Sequence, residues 1–183
     1  MEIYDVHLKH PFTMIISGPS GAGKSVWVKR LIERSSFVCK PPPKKIVYFY
    51  TEYQPLFSEI SGVTFVQGLS ENVIQKLGNE PTWIILDDLM DDASDSKVVS
   101  DLFTKVSHHR DISVILILQN FFVKGKQMRN ITLNSSYIVL MKILVIRTLQ
   151  VLLQDSSILI DLLSSARYMK MSLKILIVIF LLI

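Results

Sequence analysis

The sequence predicts an α/β fold, a three-layer sandwich whose central, mostly parallel β-sheet is covered on both faces by helices. Two observations carry this. Apolar runs of strand length alternate with segments of helical spacing. The strand runs are also nearly continuous in apolar residues, as strands buried on both faces require. A third observation bounds the domain: all seven glycines and all seven prolines precede Lys142, and 22 of the 41 residues after it are Ile, Leu or Val. One domain over 1–142 is expected, followed by an anomalous apolar tail over 143–183.

The elements follow in order. "FTMIIS" (12–17) is the first strand, and "VWVKRLIERSSF" (26–37) spaces Val26, Val28, Leu31 and Ile32 as one helical face. "KPPPKK" stops that helix, since proline lacks the donor and clashes with the preceding turn. "IVYFY" (46–50) and "VTFV" (63–66) read as strands, and "SENVIQKLG" (70–78) as a short helix closed by Gly78. "TWIILDD" (82–88) is a buried strand ending in two carboxylates. "DSKVVSDLFTKVSHH" is a helix with Val98, Val99, Leu102, Phe103 and Val106 on one side, and "ISVILILQN" (112–120) and "YIVLM" (137–141) are the last strands.

Composition narrows the function classes. The net charge of +4 suits a polyanionic partner without demonstrating one. A single cysteine, Cys39, excludes a disulfide framework and fits a reducing compartment. "MEIYDVHLKHPF" has no basic region leading into an apolar run, so no secretory signal is expected. The uninterrupted apolar end "ILIVIFLLI" falls well short of the ~20 residues that span a bilayer, so no stable membrane span is expected.

The chemistry is concentrated in "GPSGAGKS". Gly18, Pro19, Ser20, Gly21, Ala22, Gly23, Lys24 and Ser25 satisfy the pattern Gly-x-x-x-x-Gly-Lys-Ser/Thr between a strand and a helix. Glycines there let the backbone curl until its N–H groups converge on a phosphate, and the helix N-terminus adds its dipole. Lys24 would reach the β- and γ-phosphates of ATP, and the Ser25 hydroxyl would ligate Mg²⁺. The alternative is a glycine-rich turn with a chance lysine.

Such a loop needs a carboxylate at the end of a neighbouring strand to hold the metal, and Asp87 is the candidate. Asp88 falls where many ATPases place the carboxylate that polarises the attacking water; with Asp91 and Asp92 it could instead cap the next helix. Gln119, at the end of the most apolar strand, could sense the γ-phosphate or simply terminate the strand. His108 and His109 point apart with no third ligand nearby, so zinc is not expected. Arg110 could complete a neighbouring subunit's site or be a solvated helix-end charge. The cluster Lys124, Lys126 and Arg129 reads better as a solvated loop than as a DNA contact. The expected fold is a P-loop NTPase sandwich with its Walker strand near the middle of the sheet.

"HPFTMIISGPSGAGKS", "WIILDDLM", "HHRDISVILILQN" and "ITLNSSYIVLMK", in this order and spacing, resemble the genome-packaging ATPases of the FtsK/HerA superfamily. The likeness is to its poxvirus-type and Polinton (Maverick)-type members and covers residues 10–142, about three quarters of the chain. It implies a homo-oligomeric ring that hydrolyses ATP to drive double-stranded DNA into a capsid, meeting capsid portal or vertex proteins inside the host cell, in cytoplasm or nucleus. By the same likeness Lys24 and Ser25 bind nucleotide and Mg²⁺, Asp87 and Asp88 are the acidic pair, Gln119 is the sensor, and Arg110 lies where the superfamily carries its trans arginine. The rival classes are a non-motor P-loop ATPase or nucleotide switch, and a membrane-anchored P-loop protein.

The departure comes after Lys142, where the family pattern continues Asn-Pro-Arg-Asp and this chain gives "ILVIRTLQ". One codon choice for Lys142 to Thr148 is AAA ATC CTC GTG ATA AGA AC(N). Read from the last A of the lysine codon, it becomes AAT CCT CGT GAT AAG AAC, or Asn-Pro-Arg-Asp-Lys-Asn. Residues 143–183 are therefore expected to be out of frame, following loss of one A from a run of A; if so, the chain is open to being a decayed copy. Sequencing the coding DNA around Lys142 is expected to reveal this alternative frame. A nucleotide sequence that cannot be re-read in that way would dispose of the idea.

Overall fold

The computed structural model describes residues 7–89, 97–106, 110–121 and 126–141. The apolar tail over 143–183, Lys142, His108–His109, Asp91–Asp92 and Lys124 lie outside them. Among the described residues, eight strands form two sheets. β1 (Leu8–Lys9) pairs in parallel with β3 (Cys39–Lys40) as a small accessory ribbon. The main sheet contains β2 (Thr13–Ser17), β4 (Lys45–Tyr50), β5 (Thr64–Gln67), β6 (Thr82–Asp87), β7 (Ile112–Leu118) and β8 (Tyr137–Leu140). Its order is β5-β4-β6-β7-β2-β8, and every pairing is parallel.

Alternation along each strand divides the core into two layers. Met14, Ile16, Tyr48, Trp83, Ile85, Ile115 and Ile117 face α1 (Lys24–Glu33), whose Val28 and Ile32 cover them. Ile15, Val47, Phe49, Ile84, Leu86, Val114 and Leu116 face the other way. They meet α3 (Glu71–Gln75), α4 (Lys97–Asp101) with its π-helical continuation Leu102–Val106, and α5 (Lys126–Leu133). Each fully buried Ile, Leu or Phe in these layers contributes about 1.5–3 kcal/mol. The three-layer sandwich stands as the sequence predicts.

Chain direction explains which helix takes which face. From β2 the chain crosses through α1 to β4 and continues outward to β5. It then turns back through α3 to β6, α4 to β7 and α5 to β8. Crossovers between parallel strands are right-handed, so opposite directions of travel put the connections on opposite faces. β2 and β7 are adjacent, yet the chain leaves them toward opposite faces.

Several expectations are corrected. The strand ending in Asp87 is not the neighbour of β2, because β7 lies between β2 and β6. β6 stands third of the six strands, while the P-loop strand β2 is second from the edge. The first helix ends at Glu33, and a separate turn, α2 (Ser35–Val38), precedes β3. Gly78 does not close α3, which ends at Gln75 with Lys76 as its cap. Lys126 and Arg129 belong to α5 rather than to a loop.

At the amino-terminal edge of the sheet, the His10 ring sits between Ser113 Oγ and the Asp111 carbonyl, and Ser113 Oγ also accepts the Phe12 N–H at 3.0 Å. Ser113 is fully buried, so this Ser–His–Asp grouping ties β2 to β7 and offers no surface to a substrate. At the opposite edge Met141 N–H donates to Ser17 O (2.8 Å), and a Cβ on Gly18 would lie 2.5 Å from Met141 O. A glycine is needed there for β8 to end against the start of the loop after β2. Burial pushes the Cys39 thiol up to about 11, which keeps it protonated and inert. Among the described residues, no helix is long and apolar enough to cross a membrane.

Candidate functional site

The site is built where β2, β6 and β7 end. Residues 18–25 leave β2 and curl into the N-terminus of α1. Gly21 (φ 71°) and Gly23 (φ 85°) take left-handed conformations that a side chain would strain. Gly23 is the N-cap, with no side-chain hydrogen bond, and the first turn of α1 holds no acidic residue. The N–H groups and positive dipole end are thus left to an outside anion. Gly18 N–H donates to Leu118 O at 3.2 Å, which fixes the loop against the end of β7.

A cavity of ≈ 510 Å³ opens over this loop. It is lined by residues 20–26, by Asp87 and Asp88, by Ile117, Leu118 and Gln119, and by Gln54, Pro55 and Leu56. Sequence reasoning singled out Lys24, Ser25, Asp87, Asp88 and Gln119 separately, and the fold brings them to one cavity. Parity contributes to this: Asp87 is in step with Trp83 and Ile85, whose side chains face α1, as do those of Ile115 and Ile117 before Gln119.

Arg110 is not part of this cluster. It precedes β7, whose seven residues, six rises of about 3.3 Å, put about 20 Å of strand between it and the cavity end. It cannot serve the cavity of its own chain.

Lys24 shares the cavity with the Asp87 and Asp88 carboxylates. Lys24 Nζ donates to Gly18 O (2.6 Å) and Pro19 O (3.0 Å). Burial lowers the pKa of this ammonium, while the Asp87 and Asp88 carboxylates oppose the fall. Asp87 is 5% exposed, and burial raises its pKa. The Tyr48 hydroxyl, donating to Oδ2 at 2.6 Å, works against that rise; Asp88 adds to it, and Lys24 opposes it. Tyr48 itself is driven upward by burial and then by Asp87, so it remains a hydroxyl donor. Asp88 sits at φ 55° just past β6. Its backbone carbonyl accepts from Thr51 Oγ1 (2.7 Å), and its Oδ1 accepts from Gln119 Nε2 (2.9 Å).

The donors suit Mg²⁺. Ser25 and Asp87 offer hard oxygens to the same cavity. Mg²⁺ characteristically takes only one or two protein oxygens and completes its shell with water and phosphate.

Sequence reasoning missed Tyr48, Thr51 and the 54–56 segment. Tyr48 lies in an apolar strand and reads as core. The 54–56 segment enters a 3₁₀ turn (Pro55–Glu59) that the Lys29–Glu59 ion pair fastens to α1.

The buried Asp87 carries a stability consequence. A carboxyl whose pKa rises on folding binds its proton more tightly in the folded chain. Its contribution is therefore most favourable below the unfolded pKa of 3.8 and is lost as pH rises through the raised folded value. In Mg²⁺-free buffer, Asp87→Asn is expected to melt above wild type at pH 7, with the gap closing as pH falls toward the carboxylate range. Thermal melts across pH check this; an Asp87→Asn chain less stable than wild type at pH 7 would contradict it.

No protein-family model and no curated protein sequence matches the chain. Among solved structures, the flagellar accessory protein FlaH from Methanocaldococcus jannaschii is similar at 16% identity and TM-score 0.49, over 72% of this chain and 71% of FlaH. The genome packaging NTPase B204 from Sulfolobus turreted icosahedral virus 2, in complex with AMPPCP, is similar at 14% identity and TM-score 0.48, over 71% of this chain and 74% of B204. The Legionella pneumophila ATPase DotB is similar at 14% identity and TM-score 0.42, over 69% of this chain and 38% of DotB. The fold and the site stand on this chain's own topology and side chains.

Proposed function

We propose that this chain is a P-loop ATPase that hydrolyses ATP to move double-stranded DNA into a viral capsid. The observation that carries the ATPase reading is the single cavity shared by the P-loop, Asp87, Asp88 and Gln119. Residues 18–25 would cradle the phosphates, with the N–H groups at the start of α1 turned to them, and Lys24 would exchange its loop carbonyls for β- and γ-phosphate oxygens. Ser25 and Asp87 would hold Mg²⁺, which when bound would supply positive charge beside the phosphates. Asp88 accepts the proton of the attacking water. Gln119, bonded to Asp88 Oδ1, orients that carboxylate and lies where it can meet the γ-phosphate.

The motor reading is supported by the sequence resemblance over residues 10–142. The remote position of Arg110 is compatible with a ring in which this arginine reaches the next subunit's cavity. A DNA-packaging ring of this kind would work inside the host cell, where virions assemble, against portal or vertex proteins of the capsid. Residues 143–183 are, on the same reading, an out-of-frame extension of the motor domain.

Steady-state ATPase assays of the full chain test both levels. Turnover stimulated by double-stranded DNA is expected, with Lys24→Ala reducing it to background and Asp88→Asn lowering kcat by about 10²–10⁴-fold. Equal rates for wild type and Lys24→Ala would refute the site. Nucleotide binding without DNA-stimulated turnover or ring formation would replace the motor by a nucleotide switch.

A further inference from the structure

We infer that Tyr48 is a positioning residue for Mg²⁺: its hydroxyl holds Asp87 by Oδ2 and leaves Oδ1 to the cavity. The inference rests on the ATPase reading and adds to it a residue that no motif contains.

The geometry is specific. In the sheet Tyr48 is paired with Ile85 of β6, two residues before Asp87 and on the same face. From there the phenol reaches diagonally to Asp87 Oδ2, 2.6 Å away, and both residues are buried. Among the described residues, that hydroxyl is the only hydrogen-bond donor to the Asp87 carboxylate. The ring has little freedom, since Phe57 and Phe65 lie against it with centroids 5.0 and 5.4 Å away.

Packing alone does not call for the hydroxyl. A phenylalanine would fill the same space against Phe57 and Phe65, without a polar group to desolvate. The hydroxyl's partner here is the Asp87 carboxylate. The partner carboxylate is held separately, Asp88 by Thr51 through its carbonyl and by Gln119 through Oδ1. The end of β4 thus braces both acids, Tyr48 acting on one and Thr51 on the other. Groups that orient a metal ligand from behind typically change metal affinity 10–100-fold when removed.

The test is binding of a fluorescent ATP analogue to the full chain, titrated in EDTA and over a series of Mg²⁺ concentrations. Tyr48→Phe is expected to bind as wild type in EDTA but to need about ten-fold more Mg²⁺, or beyond, for half of the metal-dependent gain in affinity. Phe57→Leu, which disturbs the same aromatic packing and keeps the hydroxyl, is expected to retain the wild-type Mg²⁺ requirement. An unchanged Mg²⁺ requirement in Tyr48→Phe overturns the inference alone, as does an equal shift in Phe57→Leu. A Tyr48→Phe chain that no longer folds makes the hydroxyl a requirement of the core and overturns it too. Wild-type protein that binds no nucleotide in either condition overturns the ATPase reading itself.

Discussion

The handedness of parallel-strand crossovers is the constraint on which the rest of this structure depends. The chain leaves β2 in one direction and later returns through β6 and β7 in the other. Right-handed crossovers then place α1 on one face and α3, α4 and α5 on the opposite face. β2 and β7, side by side, send their connections apart, and the crevice at their carboxyl ends is where open α/β sheets bind ligands. Residues 18–25 emerge on one side of it and Gln119 on the other, with Asp87 and Asp88 one strand further along.

Electrostatics within that crevice follow from its position. At the end of β6 Asp87 is buried while Asp88 and Gln119 are exposed, so it is the Asp87 charge that is desolvated and must be compensated locally. Lys24 is offset by two carboxylates, and Asp87 by Tyr48 and Lys24. The uncapped N-terminus of α1 adds partial positive charge and contributes no acid to cancel it. Parity does the rest, since Tyr48, Asp87 and Ile117 share the face on which α1 begins.

Much of this was legible in the sequence. The loop after β2 was readable because its chemistry fixes residue types at fixed spacing. The carboxylate strand was readable because four apolar residues and then Asp87 leave few alternatives. Strand order was not readable: β6 and β7 are both apolar runs with polar ends, and nothing local says that β7 inserts beside β2. Tyr48 was hidden for a related reason, because its partner is 39 residues away and its role depends on register. α5 was obscured by its basic start, and β1 and β3 by having two residues each. Arg110 stood out only as a charge before an apolar strand, and it takes the strand's direction in the sheet to place it at the end remote from the cavity.

The central claim is that Ser25 and the Asp87–Asp88 pair face one metal–nucleotide site. The most direct measurement replaces Mg²⁺ by Fe²⁺ with ATP, adds ascorbate and peroxide, and maps the backbone cuts by mass spectrometry. Oxidative cleavage is expected at two places far apart in sequence, around Ser25 and around Asp87–Asp88, and both cuts should require ATP. Cutting at only one of these segments, or a pattern indifferent to ATP, would contradict the account.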